Sequence, residues 1–143
     1  MKVNQISVFL ENKSGRLADV TRTLASNAVN IRALSIADTI DYGLLRLIVN
    51  DPEKATKVLI NEAFTVAQTE VLAIEVPDRP GGLAGIIDIL AGRGLNIEYM
   101  YAFVGRSGDH AIVIFRIEPV DDAIKALQEG GARIISGDEL HAL

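Results

Sequence analysis

Cysteine and tryptophan are absent from this sequence, and histidine occurs only twice. Without cysteine there is no disulfide, no thiolate nucleophile and no thiolate metal ligand. His110 and His141 stand far apart with no carboxylates at ligand spacing, so no metal site is read. No nucleophile–base pair is visible, and Gly81-Gly82-x-x-Gly85 has neither dinucleotide-binding spacing nor a phosphate-loop lysine. The expectation is a non-catalytic protein without a cofactor. A basic excess is missing too: the net charge is −5 and the pI about 5.0. That balance argues against nucleic-acid and anionic-membrane partners. No apolar run approaches the length of a membrane span. Met1 to Val8 lack the basic and apolar regions of a secretory signal, so the expected setting is cytoplasmic. Asn12-Lys13-Ser14 fits the glycosylation triplet but, with no export signal, reads as chance.

What is present is a repeat. Asp78-Arg79-Pro80-Gly81-Gly82-Leu83, with Asn96-Ile97 after it, has a counterpart in Asn12-Lys13-Ser14-Gly15-Arg16-Leu17 followed by Asn30-Ile31. Gly15 and Gly81, Leu17 and Leu83, Leu24 and Leu90, and Asn30 and Asn96 are each 66 positions apart. Ile6, Val8 and Leu10 map onto Leu72, Ile74 and Val76 at the same offset. The chain is a tandem of one unit, over 1–69 and 70–143. Units of about 70 residues have marginal cores on their own, so the two are expected to pack together. The hydrophobic fraction of 49% fits compact globular units.

Each unit opens on an alternating strand (3–11, with Ile6, Val8 and Leu10 inward and Gln5, Ser7 and Glu11 outward, and 71–76), which enters a Gly turn and leaves as a helix. Ser14 is placed to cap the first helix, whose apolar face is Leu17, Val20, Leu24 and Ala28. A second strand follows Asn30 or Asn96, then a hairpin loop over 38–43 or 105–109. A third strand comes next (44–50 and 110–117). Pro52 and Pro119 open second helices, whose inward residues are Ala55, Val58, Leu59 and Ala63, and Ala123 and Leu127. Short last strands span 64–69 and 132–136. The order βαββαβ suits an antiparallel sheet with both helices on one face, an α+β ferredoxin-like unit. Strand three is apolar on nearly both faces, so the face away from the helices is expected to be covered as well.

The βαββαβ order, the aspartate-arginine-proline-glycine-x-leucine turn and the Asn-Ile pair resemble the ACT domain. Two copies fill the chain, which therefore resembles a stand-alone tandem ACT protein. The second unit matches the turn at Asp78, Arg79, Pro80, Gly81 and Leu83; the first has Asn12, Lys13 and Ser14 instead, and keeps Gly15, Leu17, Asn30 and Ile31. The resemblance implies binding of a free amino acid, or a similar small metabolite, between the turn of one domain and strand two of its neighbour. The expected reading is a regulatory protein that senses amino-acid levels, a homodimer with a partner enzyme of amino-acid metabolism. The ligand-binding candidates the resemblance marks are Asn12, Ser14, Gly15, Arg16, Leu17, Asn30 and Ile31, and Asp78, Pro80, Gly81, Gly82, Leu83, Asn96 and Ile97. The alternative is a constitutive regulatory or interaction subunit whose ACT units bind no ligand.

Each candidate also has a plainer role. Gly81 and Gly82 either touch a ligand or simply make the turn. Asn30 and Asn96 are ligand groups or helix-ending residues. Asp78 anchors the turn or attracts an ammonium group. Arg16 pairs with a carboxylate or points into solvent. Tyr99, Tyr101 and Phe103 are interface or core packing, or an aromatic wall for a bulky ligand.

Overall fold

A computed structural model describes residues 1–38 and 41–143. Thr39 and Ile40, in the hairpin loop expected over 38–43, lie outside the described residues. The chain divides into two compact units, Asn4–Thr69 and Glu70–Leu143, the second including Met1–Val3. The first unit holds β1 (Val3–Glu11), α1 (Arg16–Ser26), β2 (Ile31–Asp38), β3 (Tyr42–Val49), α2 (Pro52–Asn61) and the opening residues of β4 (Thr65–Pro77). The rest of β4 leads into α3 (Gly82–Ala91), β5 (Asn96–Ser107), β6 (His110–Glu118), α4 (Val120–Glu129), β7 (Ile134–Ile135) and α5 (Gly137–Ala142).

In the first unit β3 lies between β1 and β2, antiparallel to both. In the second, β6 lies between β4 and β5, and β7 pairs with β4 on the other side, again all antiparallel. The registers put Ile6 opposite Leu47 and Val8 opposite Leu45, and all four are buried. This face meets Val20 and Leu24 of α1 and Ala55 and Leu59 of α2 in one core. The second core repeats it with Leu72, Ile74, Phe115, Leu90, Ala123 and Leu127. Alternation in the strands and 3.6-residue spacing in the helices explain both cores. Each unit is thus α+β with helices on one face of an antiparallel sheet.

Part of the other sheet face is buried too, although Phe9 on it is 47% exposed. Ile48, Ile112 and Ile114 are at most 1% exposed. Gln5 and Ser7, expected to point outward from β1, are buried as well, with Gln5 Nε2 donating to Ser7 Oγ at 3.4 Å. The polar residues Gln5 and Ser7 in β1 therefore do not mark a solvent face.

Several local expectations shift. The N-cap of α1 is Gly15, with no side-chain cap bond, so Ser14 does not cap it. Asp51 does cap α2, accepting from Lys54 N at 3.2 Å with Pro52 in the first turn. Leu17 is 40% exposed rather than core-facing. Ala28 and Ala63 stand past their helices with φ of 57° and 66°. The strands expected at 64–69 and 71–76 are one continuous strand, β4. Strand β5 runs on to Ser107, leaving Gly108-Asp109 as the turn of its hairpin. The last strand is only Ile134–Ile135, and α5 was not foreseen. Its signal was there: Ser136 accepts from Glu139 N at 3.2 Å, a serine and glutamate at capping-box spacing.

One packing contact fixes how α3 leaves its strand. A Cβ built on Gly82 would lie 1.9 Å from the carbonyl oxygen of Pro77, whereas one on Gly85 would meet nothing within 4 Å. Gly82→Ala is therefore expected to destabilise the protein by about 2 kcal/mol. Gly85→Ala, in the same helix, should be neutral or stabilise by up to ~1 kcal/mol. Chemical denaturation of the two variants checks the contrast, and equal effects would show that the carbonyl contact is unimportant.

Candidate functional site

The two turns after β1 and β4 have the same backbone. Gly15 has φ 90° and ψ −14°, and Gly81 φ 85° and ψ −8°. Lys13 N donates to Glu11 O at 2.8 Å, and Arg79 N to Pro77 O at 2.9 Å. Asp19 N and Gly85 N then return to Gly15 O and Gly81 O at 2.9 and 3.0 Å, starting the helices. A Cβ on Gly15 or Gly81 would meet nothing within 4 Å. Glycine is needed at both for its left-handed φ rather than for room.

Beside each turn is a cavity. In the first unit an open cavity of about 230 Å³ is lined by Leu10, Asn12, Arg16, Leu17 and Ile36 together with Glu11, Lys13 and Gly43. In the second, an open cavity of about 450 Å³ is lined by Val76, Pro80, Leu83, Ala111 and Val113 together with Pro77, Asp78 and Arg79. Leu10, Asn12, Lys13 and Leu17 map onto Val76, Asp78, Arg79 and Leu83 by the 66-residue offset, so the cavities are counterparts. The structure places Asn12, Arg16, Leu17, Asp78, Pro80 and Leu83 of the candidates on their walls. Ser14, Gly15, Gly81 and Gly82 shape the turns without lining either cavity. The strand residues on these walls were missed, although the pairings Leu10–Gly43 and Val76–Ala111 bring them to the turns.

Asn30, Ile31, Asn96 and Ile97 are elsewhere. Asn30 N donates to Asn50 Oδ1 at 2.9 Å, and Asn50 N donates to Asn30 O at 3.1 Å. Asn96 pairs with Glu118. Gly43 and Asn50, or Ala111 and Glu118, are seven strand residues apart, which is roughly 23 Å. Within one unit the Asn-Ile pair and the turn occupy opposite ends of the sheet. Tyr99 and Tyr101 pair with Arg116 and Ile114, on the face away from the helices, and they line neither cavity.

Charges surround the first turn. Lys13 Nζ lies 2.7 Å from Glu11 Oε2, and this hydrogen bond, then the Lys13 charge itself, holds the Glu11 carboxyl below the usual carboxylate range. Arg16 reaches Asp19 at 3.4 Å, and its guanidinium carbon stands 4.8 Å from the centre of the Phe64 ring. Its Nε is buried without an acceptor. Among the described residues no three His, Cys, Asp or Glu side chains could hold a metal ion, and no helix is long and apolar enough to cross a membrane.

In comparisons with known proteins, a family model described as an ACT domain pair matches residues 1–143. The crystal structure of protein BT0572 from Bacteroides thetaiotaomicron is 42% identical, with a TM-score of 0.93 over 100% of this chain and 98% of that one. The ligand-free regulatory subunit of aspartate kinase from Thermus thermophilus superposes with a TM-score of 0.61 at 17% identity, over 89% of this chain and 91% of that one. The same subunit from Thermus flavus gives 0.60 at 16% identity, with the same coverage. These last two share the fold. Comparison with curated protein sequences found no match.

The Glu11–Lys13 pair is testable alone. In Lys13→Ala the Glu11 carboxyl should titrate higher, back toward an ordinary glutamate, as followed by NMR. An unmoved titration would mean that the ion pair does not persist in solution.

Proposed function

The chain belongs to the ACT domain pair family, and from that premise we propose that it is a non-catalytic regulatory protein that binds a free amino acid beside the strand-to-helix turn. The observation that carries this reading is the pair of matching cavities, each on a turn of the same backbone. A helix N-terminus contributes about 0.3–1 kcal/mol to an exposed carboxylate. Micromolar binding needs about 8 kcal/mol. Side-chain hydrogen bonds and an apolar wall must therefore supply most of the affinity.

Asn30 and Asn96 fit this site as groups brought by another ACT unit. Strands β2 and β5 are edge strands, and Leu34, Ile36 and Met100 on them are exposed by 44%, 52% and 41%. An exposed apolar edge favours pairing with another chain. Edge-to-edge antiparallel pairing of two copies sets the Asn end of one sheet beside the turn end of the other. A homodimer so formed would complete the site. Aspartate kinase regulatory subunits have this fold, and by fold-level analogy the regulated partner is an enzyme of amino-acid metabolism. Such regulation requires the ligand to prefer one arrangement of the units over another.

A thermal-shift screen against the free amino acids tests the reading. A ligand at 100 times its Kd should stabilise the fold by about 2.7 kcal/mol, a shift of several degrees. No shift with any amino acid would favour the constitutive, ligand-free subunit. Asn96→Ala should weaken binding by about 1 kcal/mol, roughly fivefold, and leave the melting temperature of the free protein unchanged. Unchanged affinity in that variant would remove Asn96 from the site.

A further inference from the structure

The two cavities are counterparts in position but not in lining: Asn12 and Ser14 give way to Asp78 and Pro80, and two further exchanges remove charge from the second. Glu11 in the first unit corresponds to Pro77 in the second, and Arg16 corresponds to Gly82. Arg16 lines the 230 Å³ cavity and also a neighbouring hollow of about 250 Å³ bounded by Phe9, Tyr42 and Phe64. Its side chain stands between them, stacked on Phe64. The Arg16 N to Lys13 O bond is 3.4 Å, against 3.0 Å for Gly82 N to Arg79 O. The first turn is looser where it accommodates a side chain, and the second closes tightly where it has none.

Those exchanges set the chemistry of each wall. Three charged side chains, Glu11, Lys13 and Arg16, line the first cavity against two, Asp78 and Arg79, on the second, so an aliphatic group meets more polar surface in the first. The second cavity is larger, and Val76, Pro80, Leu83, Ala111 and Val113 make its wall apolar. Two charges of opposite sign, on Asp78 and Arg79, line it as well. An α-amino acid has the matching arrangement: an ammonium and a carboxylate on one carbon, with the side chain projecting away.

We propose that the second unit holds the one amino-acid site of each chain and that it selects aliphatic α-amino acids. Arg79 faces the ligand carboxylate, Asp78 faces its ammonium, and the side chain lies on Leu83, Ala111 and Val113. This rests on the amino-acid-binding reading above and deepens it by assigning one unit and one side-chain class.

Isothermal titration of the chain of residues 1–143 decides it, using leucine, isoleucine, valine and methionine against alanine, aspartate and lysine. The expected result is one ligand per chain, with leucine binding roughly tenfold or more tighter than alanine and the charged amino acids weaker still. Ala111→Phe, which fills the cavity, should abolish binding. Arg79→Ala, at an exposed position, should weaken it about tenfold with an unchanged melting temperature. That variant decides the matter if Ala111→Phe does not fold. A polar or charged amino acid as the tightest ligand would overturn this inference and leave the amino-acid-binding reading standing. So would two equivalent sites per chain, or wild-type binding by Arg79→Ala. Binding of no amino acid at all would overturn both.

Discussion

The structure depends on a left-handed backbone at two residues, Gly15 and Gly81, where φ near +90° turns an outgoing strand into an incoming helix. Residues with a side chain are strained at such angles, and the space around both glycines is open, so the constraint is one of backbone torsion. From that turn follow the direction of α1 and α3, the face on which they lie and the cavity each leaves beside its strand. In the second unit the constraint is doubled. Gly82 must also lack a side chain, because the Pro77 carbonyl occupies the place of its Cβ.

The helices cover one sheet face in each unit, yet residues on both faces of the central strands are buried. A sheet with one wet face would give alternating strands in β3 and β6. Ile48, Ile112 and Ile114 break that alternation, and this was visible in the amino-acid pattern. Gln5 and Ser7 were misread for the converse reason. Polar residues in β1 look like a solvent face, yet both are buried, with a hydrogen bond between their side chains.

Periodicity and repetition made most of the fold legible. Val20 and Leu24 in α1, and Ile6, Val8 and Leu10 in β1, were assigned to the core by spacing alone, and they are buried. Element ends were less legible, because they depend on individual hydrogen bonds. Ser14 has the chemistry of a cap, but Gly15 takes the N-cap position with no side-chain bond, whereas Ser136 caps a short helix whose one local signal is its spacing to Glu139. Half of each candidate site was legible in the same sense. The turn motifs mark the cavities, but the opposing wall comes from register: Ala111 reaches Val76 only through the pairing of β4 with β6. No local pattern encodes that partner, since it depends on where the hairpin closes.

The separation of the turn from the Asn-Ile pair bears on regulation. One sheet holds the two groups roughly 23 Å apart along its strands, farther than a free amino acid reaches. In the proposed function a ligand that touches both must therefore touch two ACT units. Its affinity then includes the free energy of bringing those units together, and by linkage the ligand strengthens that association by the same factor. A protein with no catalytic groups can regulate by this means alone, because occupancy of a small cavity becomes a change in how units associate. The weaker the association without ligand, the larger the share of binding energy spent on it, so the apparent affinity falls as the response grows.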